Sequence, residues 1–585
     1  MRKTILSEGG VRSPVLGRGI TAAVLLLIGF GVAAQGCGME DSAEFFGGEG
    51  YDGERGAPGW DEDADGWYCT TDGDCPPGMV CQGNQCVSPD DGKPPEEPEG
   101  HVFMEPDASP GFIYALSPHT DTLAIIDALD LAIEIVPLPP EPTDLSVLPD
   151  RDAVAVVSRE GKSLTLLDEE DGVWRGYDVR LERRFEAVSV CPGGRWAVLW
   201  TPDGAPPGDG AEGMVALVDL AAMEAGDSVS VLEMAAGRRH TNVYFREDGG
   251  RTADIVVVGK EEIAIIDTSH LDEPVPARIF IPDEYIDVYG RQVVVSEGGE
   301  HALLRSFVAP EILVFHTATR TMTSVPLPAV ATDLKLVRAP GHLVAPRTRA
   351  VVALRSAGML GWFYLDEALV APEEPGLVET IEMEDVVTGQ VSVSEDGRFA
   401  VVFTNAEPST TIAWIDFDLD EVRVFERLQK WVRAVGIGPD GRTALVLHRP
   451  DPGSTTADPY ERAIEKDEGY SLVDLEQGYA QLKLTDGVPA EQFVFSVDGE
   501  HAAVVLSDDQ IDHRVDTIDL GRLVTHTFSL ASRPRFAGAL PSGPAVGGDR
   551  VWITQAHPAG RVSFLNLGER TLRTVTGFDL NAEVE

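Results

Sequence analysis

The chain has 585 residues, with 46 Lys+Arg against 97 Asp+Glu and a formal net charge of −51. Hydrophobic residues are 43% and charged residues 24%, so a large core is available and global disorder is excluded. A charge this negative argues against nucleic acid or an anionic membrane surface as the main partner, because both require a basic face.

In chain order, residues 1–36 read as an address. Arg2, Lys3, Arg12 and Arg18 accompany a 15-residue apolar run, Ile20 to Ala34. The run is shorter than the ~20 residues of a membrane-spanning helix and fits a secretory hydrophobic region. No later stretch is long and apolar enough to span a bilayer. The run ends in Ala34-Gln35-Gly36-Cys37, which resembles a bacterial lipobox. The resemblance implies lipidation at Cys37 and a cell-envelope protein held to its membrane by lipid alone. Gly38, where an Asp would signal inner-membrane retention in that family, points to the outer membrane. The rival reading is ordinary cleavage near Ala34.

Residues 37–100 form an acidic segment. Positions 38–100 hold 17 acidic and 2 basic residues, 13 Gly and 7 Pro. Such a composition cannot bury enough apolar surface to offset chain entropy, and like charges keep it extended. It reads as a disordered tether. Cys69, Cys75, Cys81 and Cys86 lie inside it, and in an exported compartment four cysteines in 18 residues predict two disulfides with three possible pairings. The stretch CTTDGDCPPGMVCQGNQC resembles small cysteine-rich modules of the EGF-like or Dickkopf N-terminal kind. A zinc site is the alternative, but it lacks a C-x2-C pair and a nearby His. Asp61, Asp63, Asp65, Gly66 and Asp72 match positions of an EF-hand Ca2+ loop. They are the one cofactor candidate, set against a plain solvated acidic run.

From residue 101 to 585 the pattern becomes short strands. Two apolar residues followed by Asp recur at Asp127, Asp168, Asp219, Asp267, Asp366, Asp416, Asp474 and Asp519, with His316 and Asn566 filling the gaps. Successive spacings are 41, 51, 48, 49, 50, 50, 58, 45 and 47. A period near 40–50 with only strands inside marks propeller blades. The prediction is an all-β fold, a β-propeller of four-stranded blades, with ten units read and a true count between seven and ten. The recurring Asp is expected to cap the turn after the third strand. The first unit, Ile113 to Ser158, carries Tyr114, Ile126-Asp127 and Pro149-Asp150. It resembles the YVTN-type repeat of bacterial extracytoplasmic propellers, which implies a binding or scaffold role.

In such a ring the connections after the second and fourth strands converge on one face, where insertions carry function. Two insertions are long, 201–212 and 449–469, and the second contains a predicted helix over 459–466. Arg183, Arg184, Arg238, Arg239, Arg291, Arg433, Arg533 and Arg535 fall at or near connections between units, and Arg305, Arg355 and Arg449 follow second strands. They are candidates for a positive mouth that binds an anionic glycan or an acidic protein. The alternative is that they staple blades together. Asp144, Asp333, Asn242, Gln292, Gln390 and Gln492 occupy the starts of first strands and suit hydrogen bonding better than metal ligation.

No haem-attachment, zinc-protease or serine-hydrolase motif is present, and Gly161-Lys162-Ser163 is a chance imitation of a P-loop end. His119, His448 and His557 follow second strands as loop histidines, and Cys191 is expected to be a buried free thiol. The reading is a non-enzymatic, lipid-anchored envelope propeller that binds a macromolecule. The alternatives are a propeller hydrolase or lactonase with a channel-bound metal, and a structural assembly component.

Overall fold

A computed structural model describes residues 80–82, 85–87 and 107–578, apart from short stretches between strands, of which 340–346 is the longest. Cys37, Cys69, Cys75 and the acidic run Asp61, Asp63, Asp65 and Asp72 lie outside the described residues. A hairpin of Val80–Gln82 and Gln85–Val87 sets Cys81 opposite Cys86 in register.

Ten four-stranded antiparallel sheets follow, each a meander of consecutive strands, here a to d. Blades 1 to 10 span 107–137, 142–180, 187–235, 240–280, 292–326, 333–382, 390–425, 431–484, 490–529 and 534–576. Together they close into a ten-bladed β-propeller. The a strands of successive blades touch one another, as between blades 2 and 3 or 6 and 7, so a is innermost. The d strands alternate exposed and half-covered residues, as in Val173–Arg180, and form the rim.

Strands b and c are built for burial on both faces. Ala153–Ser158, AVAVVS, is buried at every position. Its side chains alternate: Ala153, Ala155 and Val157 join the core shared with blade 3, while Val154 and Val156 join the core shared with blade 1. β-Branched and small residues fit this double packing. The same division holds around the ring, giving ten apolar cores, each between two neighbouring blades. Near the axis the approach is tight. A Cβ on Gly436 would meet Phe493 of the next blade at 2.4 Å, so only glycine fits there.

The ring closes without strand exchange, because every sheet is contiguous in sequence. Blade 10 meets blade 1 through Leu540, Trp552, Val562 and Phe564 packed on Ile113, Ala115, Ala124 and Ile126. Two arginines of blade 10 reinforce the seam: Arg550 donates to the Ala128 carbonyl (3.2 Å) and Arg573 to that of Leu129 (2.8 Å).

At most of the marks the recurring Asp caps the c–d turn as expected. Asp127 accepts the amides of Leu129 and Asp130 at 2.7 and 2.9 Å, and Asp267, Asp416, Asp474 and Asp519 each accept a turn amide. His316 and Asn566 serve the same way through Nδ1 and Oδ1. Two marks depart from the pattern. Asp168 lies inside strand c, Ser163–Glu170, and pairs with Arg151 at 3.4 Å. The other departure is the sixth mark. Strand c there ends at Tyr364, and Leu365-Asp366 opens a short helix, Leu365–Val370, where Asp366 pairs with Arg347 at 2.7 Å. The extra residues of that unit lengthen strands a and b, Asp333–Ala339 and Arg347–Leu354.

Because the closing seam is held by side chains, Ile126→Ala is expected to cost about 2–5 kcal/mol. It is also expected to raise amide exchange first in blades 1 and 10. Exchange rising equally in blades 4 and 5 would show that the seam is not a separate unit of stability.

Candidate functional site

The antiparallel meander puts all d–a and b–c connections on one face, the loop face, and the a–b and c–d turns on the other. All eleven candidate arginines belong to the loop face, but their environments divide. Arg183, Arg184 and Arg239 are half-buried and pair with Glu233 (2.8 Å), Glu160 (2.9 Å) and Asp203 (3.3 Å). Arg291, Arg305 and Arg433 reach the backbone of a neighbouring blade. Arg291 donates to the Gly259 carbonyl (3.0 Å), Arg305 to that of Ala331 (3.3 Å) and Arg433 to that of Glu491 (3.0 Å). Arg305 also donates to Gln292 Oε1 at 2.9 Å. Arg355 is buried in the 3-10 turn Arg355–Ala357, and Arg449 is half-buried at the end of its b strand. Arg238, Arg533 and Arg535 are exposed.

Polar residues at the starts of a strands make hydrogen bonds between blades. Asp144 accepts the Val188 amide of the next blade (2.8 Å) and Asp333 that of Val391 (3.0 Å). Gln292 donates to the Leu334 carbonyl (3.2 Å) and Gln492 to that of Arg535 (3.1 Å). Asp107 accepts the Val147 amide (3.2 Å), and Ser392 donates to the Val435 carbonyl (2.6 Å). Strand a is a sheet edge, and its unpaired backbone groups need partners. One blade's side chains supply them to the next. Asn242 accepts its neighbour Val243's amide (2.8 Å), and Gln390 is buried. The spacing of 40–58 residues between partners is close to one repeat, so a comparison of aligned repeats would have found this relay.

The longer insertion carries the helix Pro459–Lys466, with the expected bounds. Asp458 caps it by accepting the Tyr460 amide (2.7 Å), Pro459 follows, and Ile464 is its buried residue. Its C-terminus is held by Lys430, from the connection between blades 7 and 8. Lys430 is 1% exposed and donates to the carbonyls of Ile464 (3.0 Å), Glu465 (3.2 Å) and Asp467. A lysine ammonium suits the negative end of a helix, and burial pushes its pKa down against the pull of Glu468 and Asp467. Between helix and ring lies a polar cleft of ≈ 330 Å³, reached by Thr410, Trp431, Asp451, Thr455 and Glu465. The Glu465 carboxylate accepts from Thr456 Oγ1 (2.6 Å) and Ser454 Oγ. The sequence carried no signal for Lys430, because its partners lie 34–37 residues away and are backbone atoms.

Of the histidines, His119 lies outside the described residues, His557 is half-buried and His448 is buried. His448 Nδ1 lies 3.2 Å from the Trp431 carbonyl and Nε2 lies 2.7 Å from Ser471 Oγ. Cys191 is buried and free. Among the described residues one group of acids and histidine stands close enough to share an ion, Asp498, Glu500 and His501, in the a–b turn of blade 9 on the turn face.

No family model and no curated protein matches this chain. Solved structures with a similar shape include a dihydro-heme d1 dehydrogenase, NirN, in complex with DHE. It shows 17% identity over 68% of this chain and 78% of that one, with a TM-score of 0.36. A eukaryotic initiation factor shows 10% identity over 81% and 98% with a TM-score of 0.48. Hydrazine synthase of Kuenenia stuttgartiensis shows 13% identity over 57% and 99% with a TM-score of 0.29. With each TM-score below 0.5, these likenesses carry no argument about this chain's chemistry, and its architecture stands on its own strand order.

Burial lowers the His448 pKa to about 3, against ~6.5 in an unfolded chain. The unfolded state therefore binds the extra proton first, and stability falls as pH drops from about 6.5 toward 3. Urea midpoints for His448→Gln are expected to fall less steeply than wild type between pH 7 and 5. Parallel curves would contradict a neutral, buried imidazole.

Proposed function

We propose that this protein is a non-enzymatic binding module, held at an envelope membrane by lipid on Cys37, whose loop face takes an anionic macromolecule. The observation that carries the reading is the exposure of Arg238, Arg533 and Arg535 at d–a connections of a closed ring that belongs to a chain of net charge −51. Arginine forks bind carboxylate and sulfate groups in two-pronged fashion, and a positive mouth on a negative body steers anions to one place. Ten packed inter-blade cores supply the rigidity that loop-borne recognition needs.

The test is titration with poly-L-glutamate and, separately, with a sulfated glycan at low salt. The arms distinguish a protein partner from a glycan. The triple variant R238Q/R533Q/R535Q is expected to weaken the favoured ligand roughly tenfold, the sum of several exposed charge contacts. Unchanged affinity would remove the loop face as the anion site. Cys37→Ala is expected to move the protein from the membrane to the soluble fraction of cells. Unchanged fractionation would reject the lipid anchor.

A further inference from the structure

Three connections of the loop face meet between blades 7 and 8. They are the b–c loop of blade 7, with Thr410, the d–a connection that carries Lys430 and leads into Trp431, and the b–c insertion of blade 8 with its helix. The cleft of ≈ 330 Å³ between them has walls fastened on each side. The Ser409 and Thr410 carbonyls accept the amides of Val432 (2.8 Å) and Leu428 (2.9 Å), which ties the first two connections together. Lys430 holds the helix C-terminus. Within the insertion, Arg462 Nε donates to the Thr456 carbonyl (2.7 Å) and the Asp451 amide to that of Glu465 (2.7 Å). The space is therefore preformed, and a ligand enters it without first ordering a loop.

The chemistry of the lining selects among ligands. A lysine ammonium has three protons, and Lys430 directs its protons to the carbonyls of Ile464, Glu465 and Asp467. It has none left for a ligand. Asp451 and Glu465, which both line the cleft, pull on that ammonium from nearby. Two carboxylates with no available cation beside them repel an anion, so the cleft differs in kind from the arginine surface. Glu465 accepts the hydroxyls of Ser454 and Thr456, and Thr410 and Thr455 bring further hydroxyls to the lining. Trp431 is half-buried and is the one aromatic residue of the lining. Acceptors and hydroxyls gathered beside an indole suit a ligand with O–H donors along its edge and C–H groups on its face. That is the chemistry of a sugar ring. An organic cation is better served by a cage of several aromatic rings. The volume lies at the small end of ligand pockets, roughly 300 Å³ and upward, which is room for one ring.

We propose that this cleft is a binding subsite for a single neutral hexose unit, stacked on Trp431, with hydroxyls donating to Asp451 and Glu465. The subsite does not rest on the reading of the arginines as an anion site. Arg238 lies at the connection between blades 3 and 4, and Arg533 and Arg535 lie where blade 9 meets blade 10.

The test is ligand-observed NMR and calorimetric titration of the full chain carrying Cys37→Ala, with methyl glucoside, methyl galactoside and methyl mannoside as separate probes. At least one is expected to bind with a Kd on the order of 1 mM, which follows from about 13 heavy atoms at the efficiency usual for ligands. Trp431→Ala is expected to weaken that binding about tenfold, and Trp431→Phe, which keeps a ring face, by about threefold or less. Asp451→Asn is expected to weaken it about tenfold, because a charged acceptor is lost. Saturating poly-L-glutamate is expected to leave sugar binding unchanged. Absence of binding by all three glycosides at concentrations well above that Kd would overturn the subsite. Equal affinity in wild type and Trp431→Ala would place the sugar elsewhere and also overturn it. So would loss in Trp431→Phe with Asp451→Asn at wild-type affinity, which would trace the effect to packing. Tighter binding of tetramethylammonium than of every glycoside, lost in Asp451→Asn, would assign the cleft to an organic cation and overturn the sugar. Displacement of the sugar by poly-L-glutamate would merge the cleft with the anion site and overturn a separate subsite.

Discussion

The structure depends on one constraint: each b and c strand must bury two faces against two different neighbours. Strand Ala153–Ser158 sends alternate side chains to blades 1 and 3, and no blade keeps a core of its own. A blade exposed on either side would present a buried-type surface to water at about 25 cal/mol per Å². Closing the circle removes that exposure. Since no strand is exchanged at the seam, closure rests on the Trp552 and Ile126 cluster and on the reach of Arg550 and Arg573.

The two faces divide the remaining work. On the turn face, short connections repeat one capping device, a carboxylate that accepts the amides of its own turn. On the loop face, polar side chains at the starts of a strands tie each blade to the next through backbone groups. Several arginines join this relay, which is why Arg291, Arg305 and Arg433 point into the structure. Stapling between blades thus accounts for these three arginines.

Much of this was legible in the sequence. The apolar-apolar-Asp period set ten units because it reports a local turn, and local turns survive divergence. The helix over 459–466 was legible for the same reason: Asp458, Pro459 and Lys466 are local cap signals. The relay of Asp144 and Asp333 was not. Those residues read only as hydrogen-bonding groups at strand starts, since spacing along one strand does not show which neighbour a side chain meets. Lys430 was equally hidden, because it binds main-chain oxygens that any sequence would supply. The sixth unit shows the limit of the period itself, where Leu365-Asp366 matched the mark and yet begins a helix.

The central claim is a closed circle of ten contiguous blades. An electron cryo-microscopy map viewed along the ring axis tests it most directly. The account predicts ten radial sheets with blade 10 in van der Waals contact with blade 1. An open arc, or a ring with another number of sheets, would contradict it.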